Sequence, residues 1–195
     1  MLYFKNNNHT EVNSIMAYTA EQIANFFIYL TKDDPDSDMT NMRLNKLLYL
    51  SQVYYMHSHS TPLFSDNIEA WEHGPVVYDV YKKYKDCGSN KIKNVDIGYN
   101  EEEIDEETAD FLLGLLIDTN KYSTSYLRDI SHYYGGSWQR HYRGENRTPL
   151  PKGAIENDFD YVSSRISHFD MDEVLKKIPR YKTYRDEDGT LVVVR

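Results

Sequence analysis

With 195 residues, 27% of them charged and 40% hydrophobic, the chain has the length of one domain, or of one domain with tails, and too much apolar content to be disordered throughout. A chain of this size buries roughly two-thirds of its unfolded surface, enough for a real core. Its formal net charge of −9 argues against a free nucleic-acid binder, which carries a basic patch and a high pI, and suits contact with a basic partner protein.

The stretch Met1 to Asn8 is polar and lacks the apolar centre of a signal peptide. Residues 1–15 read as a polar extension, with Met16 as an alternative start of the folded unit. A first helix is predicted from Thr19, which forms a capping-box pair with Gln22. Ile23, Phe26, Phe27 and Leu30 follow at helical spacing. Asp33-Asp34-Pro35-Asp36-Ser37 breaks it. A second helix runs from Thr40, its N-cap, to about His57, with Leu44, Leu47, Leu48, Ser51, Tyr54 and Tyr55 on one stripe.

After a loop at Thr61-Pro62-Leu63-Phe64, Ile68 to His73 reads as a short strand or a bridging turn. Proline in the first turn of a helix forfeits no hydrogen bond. Gly74-Pro75 is therefore read as opening a third helix, Pro75 to Lys85, with Val77, Val80, Tyr81 and Tyr84 inward and Cys87-Gly88-Ser89-Asn90 closing it. Residues 91–100 form a connector with a short extended piece at Lys91 to Ile97. The acidic run Glu101 to Glu107 suits the positive end of a helix that carries Phe111, Leu112, Leu115 and Leu116; a basic partner is the other use for such a run.

Ser123 caps a further helix offering Tyr126, Leu127, Ile130, Tyr133 and Tyr134 for burial, ended by Gly135-Gly136. Thr148-Pro149-Leu150-Pro151 reads as a loop, followed by short helices near 156–167 and 170–178. In the tail, Asp188-Gly189 lies between the β-prone runs Tyr181 to Arg185 and Thr190 to Val194, which is a hairpin signal. The expected fold is thus mainly α: a compact multi-helix domain over residues 16–180 with little β structure, and a C-terminal tail or β-hairpin over 181–195. The 18 tyrosines are expected mostly at the edges of the core, with a tyrosine-rich contact surface as the alternative.

Chemical motifs are sparse. The sequence has no glycine-rich phosphate loop, no His-Glu-x-x-His, no Cys-x-x-Cys and no Gly-x-Ser-x-Gly elbow. Cys87, the single cysteine, excludes an internal disulfide and fits a reducing cytosol. No run reaches the roughly 18 apolar residues of a membrane span, so a cytoplasmic location is expected, with no membrane partner. His57 and His59 are two apart and point to different sides of a helix, while His73, His132 and His141 have no ligand spacing. No metal or cofactor is expected. Glu69 and His73 could form an acid–base pair, but with no nucleophile beside them a structural role for both is the simpler reading. Arg140-His141-Tyr142-Arg143 mixes basic and aromatic groups as a single-strand binder would. It is short and sits in an acidic chain, so no direct nucleic-acid contact is expected.

Three ordered signatures carry a resemblance. Arg43-Leu44-Asn45-Lys46-Leu47-Leu48-Tyr49, followed by Gln52, is similar to a Lys-Leu-x-Lys-Leu-Leu-Tyr helix. Glu69-Ala70-Trp71-Glu72-His73-Gly74-Pro75-Val76, with Tyr81 after it, matches a Glu-Ala-Trp-x-x-Gly-Pro-Val turn. Leu127 to His132, with Trp138 beyond, is close to Leu-x-x-x-Thr-His followed by tryptophan, with Ser131 in place of threonine. In this order they resemble the Panacea domain family of SocA-like antitoxins over about residues 18–142.

The resemblance implies a helical, non-enzymatic protein encoded beside a toxin gene, often on a phage or mobile element. It would neutralise its cognate protein toxin by direct binding, as a hetero-oligomer with the toxin or as a homo-oligomer. Delivery of the toxin to a protease is the alternative within binding functions. A small hydrolase-like enzyme using Glu69, His73 and His132 is the alternative from another class. The motif residues Leu44, Lys46, Leu47, Leu48, Tyr49, Glu69, Ala70, Trp71, Gly74, Pro75, Val76, Tyr81, His132 and Trp138 are expected to build the framework, with Trp71 filling the junction between the turn and the second helix. Partner contact is expected from exposed tyrosines and from the tail at Tyr181, Tyr184, Leu191 and Val193.

Overall fold

A computed structural model describes residues 17–96, 98–100, 103–145, 147–166, 182–185 and 191–194, the last two stretches as backbone. The first helix, α1 (Ala20–Thr31), begins at the capping box read from the sequence: Thr19 accepts from the Gln22 N–H, and the Gln22 side chain returns to the Thr19 N–H. Helix α2 (Asn41–His59) is capped by Thr40 and ends at Ser60 in the left-handed conformation.

Helix α2 is the axis of the fold. It is buried on all sides from Arg43 to Met56 rather than along one stripe, because α1, α3 (Tyr78–Tyr84), α4 (Glu106–Asn120), α5 (Thr124–Ser131), α7 (Lys152–Glu156) and α8 (Phe159–Arg165) all pack around it. Its polar residues are therefore inside; Ser51 bonds the Leu48 carbonyl of its own helix, and several others are matched to groups from surrounding elements. Asn41 donates to the Tyr81 carbonyl (2.9 Å). Asn45 accepts from the Val77 N–H (2.9 Å), capping α3, whose own N-cap Val77 has no side-chain bond. Gln52 both donates to the Phe64 carbonyl and accepts from its N–H.

Arg43 is 2% exposed. It reaches the last turn of α4 through the Thr119 carbonyl (2.9 Å), the adjoining Tyr122 carbonyl (2.9 Å), and Asp38 (3.0 Å). A planar guanidinium can serve these directions together, whereas an ammonium is a point donor. Arg43→Lys is expected to lower stability by roughly 2 kcal/mol, read from a urea unfolding midpoint. A change within error would show that the fork geometry is unimportant.

The sheet departs from the sequence reading in two places. Gly74-Pro75 does not open a helix: strand β1 (Glu69–Trp71) turns through Glu72-His73 into β2 (Gly74–Val76), with Trp71 opposite Gly74 and Glu69 opposite Val76. Helix α3 starts only at Tyr78. Proline is tolerated because β2 is an edge strand of the order β2-β1-β3. The expected loop at 148–149 is β3 (Thr148–Pro149), antiparallel to β1 with Ala70 opposite Thr148. This pairing joins residues nearly 80 positions apart, which local sequence cannot signal.

Helix α5 stops at Ser131, before the glycines. Ser131 Oγ and His132 Nδ1 both bond the Arg128 carbonyl (each 2.6 Å) and end the backbone ladder there. The chain beyond is therefore non-helical; Tyr134, expected inside, is 91% exposed, and Tyr126 lies at the surface. Trp138 sits on α6 (Ser137–His141).

The core takes Ile23, Phe27, Leu44, Leu47, Leu48, Phe64, Leu112, Leu115, Leu127 and Val162 among others. Tyr49, Tyr54, Tyr55 and Tyr84 are buried with it. In the tail, β4 (Lys182–Arg185) and β5 (Leu191–Val194) pair antiparallel, Arg185 opposite Leu191, so each strand covers an edge of the other. The expected helix at 170–178 and the residues Tyr181 and Met16 lie outside the described residues. Among the described residues no helix is long and apolar enough to cross a membrane.

Candidate functional site

The three sequence signatures meet at Gly74. Its backbone has φ +100°, and a Cβ there would lie 2.7 Å from Lys46 Nζ and 2.8 Å from both His132 Cε1 and Ser131 Oγ. The glycine thus lets the turn press onto α2 and the end of α5 together. Lys46 Nζ donates to the Pro75 carbonyl (2.9 Å). His132 Nε2 faces the Glu72 carbonyl (3.3 Å), and its ring packs 3.9 Å from that of Trp138. Trp138 Nε1 donates to the Trp71 carbonyl (2.7 Å). The backbone of the β1–β2 turn is therefore held from α2, α5 and α6.

Trp71 does not fill the junction with α2. Its ring lies 4.8 Å from Tyr81 and 6.2 Å from Tyr78, both on α3, and its Nε1 donates to Glu69 Oε2 (2.8 Å). Between that ring and α2 a cavity of about 340 Å³ remains, lined by Met42, Lys46, Trp71, Val76 and Tyr81 with His73 and Lys85 at its exposed side.

The electrostatics at this junction favour neutral groups. Burial lowers the Lys46 ammonium to about 7, and the positive charge of Arg128 acts in the same direction. Burial likewise depresses His132, opposed by its carbonyl contacts and aided by Lys46 and Arg128. A neutral imidazole has one N–H; the shorter contact, to the Arg128 carbonyl, places it on Nδ1.

Glu69, His73 and His132 do not converge. Glu69 faces a second cavity, lined also by Asp66, Tyr78, Asp79 and Arg147, where Arg147 stands 3.7 Å from its carboxylate and 3.9 Å over the Tyr78 ring. His73 lines the first cavity, and His132 is engaged by backbone carbonyls. Nδ1 of His141 is likewise bound to the Ser137 carbonyl (2.7 Å). Among the described residues no group of three or more His, Cys, Asp or Glu side chains is placed to hold a metal ion.

Sequence reasoning passed over Asp158. Although 1% exposed, its carboxylate accepts from the Tyr49 hydroxyl (2.6 Å), the Tyr133 hydroxyl (2.7 Å), the Ser137 N–H (2.9 Å) and the Ser137 hydroxyl. It ties the motif residue Tyr49 to α6 and to the α7–α8 junction, and it caps α6, whose Gly136 N-cap has no side chain to do so. Burial and the adjacent carboxylate both push the Tyr49 and Tyr133 hydroxyls well above the usual tyrosine range, so they remain donors. No local signal singles this residue out: Asp158 precedes Phe159 at the start of a helix, an ordinary place for a carboxylate.

Residues 44–139 match the family described as Antitoxin SocA-like, Panacea domain. The chain is 28% identical over 112 residues to the Antitoxin SocA of Caulobacter vibrioides, across 53% of this chain and 60% of the relative. It thus spans well under two-thirds of the length of the curated relative it matches. No solved structure matches. Lys46, Gly74 and His132, which come from three separate elements and meet at one point, all fall inside residues 44–139, the stretch that matches the antitoxin SocA-like Panacea domain.

Proposed function

We propose that the chain is an antitoxin that binds a protein toxin encoded by a neighbouring gene and neutralises it by direct contact in the cytoplasm. The observation carrying this reading is the match of residues 44–139 to the Panacea domain. Two features support it. The motif residues form an interlocked framework in which Lys46, His132 and Trp138 hold the backbone of the β1–β2 turn, a rigid base suited to binding a partner. The net charge of −9 favours association with a basic partner by long-range attraction. The test is co-expression with the adjacent reading frame: growth should stop when that product is made alone and resume when this chain accompanies it. A harmless neighbour, or toxicity that persists, would overturn the reading.

In this proposal residues 16–180 form the neutralising unit and residues 181–195 extend its contact surface, through Tyr181, Tyr184, Leu191 and Val193. The β4–β5 hairpin gives that extension a defined backbone, which reduces the ordering cost of binding. Deleting residues 181–195 is expected to weaken toxin affinity about tenfold, roughly 1.4 kcal/mol, with the helical circular dichroism signal retained. Equal affinity by calorimetry would remove the tail from the interface.

A further inference from the structure

The cavity between Trp71 and α2 holds a donor without enough acceptors. Lys46 lines it and is 1% exposed. An ammonium carries three N–H donors. One meets the Pro75 carbonyl, and no second acceptor engages the amine among the described residues. The neighbouring asparagines do not compete for a ligand. The Asn41 amide donates to the Tyr81 carbonyl, and the Asn45 amide donates to Asn41 while its oxygen takes the Val77 N–H. The walls are apolar and aromatic, from Met42, Trp71, Val76 and Tyr81. Lys85 and His73 stand at the mouth, and Glu72 is the one carboxylate among the lining residues. In a chain of net charge −9 two lysines, Lys46 and Lys85, here face a single carboxylate, a setting complementary to an anion. A volume of about 340 Å³ is at the small end of ligand sites and suits a single side chain or a chain end.

We propose that this cavity is an anchor socket for the partner protein, receiving a carboxylate carried on an apolar or aromatic body. The acid meets Lys46, and the body lies between Met42, Trp71 and Tyr81. The identity of the partner rests on the antitoxin reading; the chemistry of the socket does not. Burial already weakens the charge on the Lys46 amine, so an incoming carboxylate both supplies the missing acceptor and favours the ammonium form. All the lining residues named here except Asn41 and Met42 fall within the stretch shared with the Panacea domain, which places the socket in the common framework rather than in the tail.

The test uses the full chain, with N-acetyl-phenylalanine as probe, N-acetyl-phenylalaninamide as its uncharged counterpart, and as the reporter the tryptophan fluorescence, to which Trp71 in the cavity wall contributes beside Trp138. The acid should quench saturably, the amide should bind at least tenfold more weakly, and Lys46→Met should abolish the difference. Met42→Glu is the second variant: Met42 is 39% exposed, so the fold does not depend on it, and the new carboxylate repels an acid at the mouth. Both variants should also weaken binding of the neighbouring gene product at least tenfold while retaining their circular dichroism. Equal binding of acid and amide, or wild-type acid binding in both variants, overturns the socket. Lys46-dependent acid binding with unchanged affinity for the gene product would assign the cavity to a free small acid and overturn the partner anchor. If the wild-type chain does not bind the gene product at all, the antitoxin reading fails, and the probe titration still decides the socket chemistry.

Discussion

Asp158→Ala is expected to be among the most destabilising single substitutions in the chain, costing about 4 kcal/mol and lowering the thermal midpoint by on the order of 10 °C. Two opposing terms decide the sign. Removing a buried carboxylate relieves its desolvation, and Asp158 has no cation beside it, so this relief is real. Against it stand the four donors that the carboxylate satisfies, from Tyr49, Tyr133 and Ser137. Two of these groups, the Tyr49 hydroxyl and the Ser137 side chain, are buried with it and would be stranded without an acceptor. Each stranded donor costs about 1–3 kcal/mol, so the loss exceeds the relief. Asp158→Asn should recover only part of the loss, because one oxygen becomes a donor facing other donors. Thermal melts followed at 222 nm on the two variants and on Tyr133→Phe give the comparison. A midpoint for Asp158→Ala within about 2 °C of wild type, less than 1 kcal/mol, would mean that the cluster does not hold α6 and the α7–α8 junction to α2.

What could be read in the sequence was local. The α1 capping box, the Thr40 cap of α2 and the Ser123 cap of α5 each lie within four residues of what they cap, and the structure has all three. The mainly helical fold follows from such signals, and so does the pairing of the tail strands across Asp188-Gly189. The misplaced features were settled by pairings and side-chain contacts that spacing does not encode, and one of them, β1 with β3, at long range. Pro75 belongs to a strand because β1 lies beside it, and Thr148-Pro149 is a strand because the same β1 has a second free edge. Tyr134 is outside because two side chains end α5 early, an effect that hydrophobic spacing does not encode.

Helix α2 shows the same limit more sharply. By periodicity it has one apolar stripe, which accounts for a single buried face. Its polar residues instead serve as connectors: Asn41, Arg43, Asn45, Lys46, Tyr49 and Gln52 each reach a group outside the helix. A polar side chain in a sequence is equally a solvated group or a buried one with a partner, and only the fold supplies the partner. The motif spacing marked Lys46 as a framework residue, yet nothing in the spacing indicated that its amine would be buried with one acceptor beside an open cavity.

Gly74→Ala tests whether that junction tolerates any added volume. The backbone at φ +100° is unfavourable for alanine by about 1–3 kcal/mol, and the new methyl would sit 2.7–2.8 Å from Lys46, His132 and Ser131. Side-chain ends can often swing aside, but these are fixed: Lys46 is buried and bound to the Pro75 carbonyl, Ser131 to the Arg128 carbonyl, and His132 is packed on Trp138. Overpacking adds about 1–3 kcal/mol, for a total of about 4 kcal/mol. Gly135→Ala is the control, since Gly135 also has positive φ (+85°) but nothing within 4 Å of the place its methyl would take; it should cost only about 1–2 kcal/mol of backbone strain. Urea unfolding of both variants separates the two contributions. Equal losses would reduce Gly74 to a backbone requirement. A loss at Gly74 larger by about 2 kcal/mol, accompanied by failure to neutralise the neighbouring gene product at temperatures where the variant is still folded, would identify the close approach of turn, α2 and α5 as the contact that keeps Lys46 in place at the cavity.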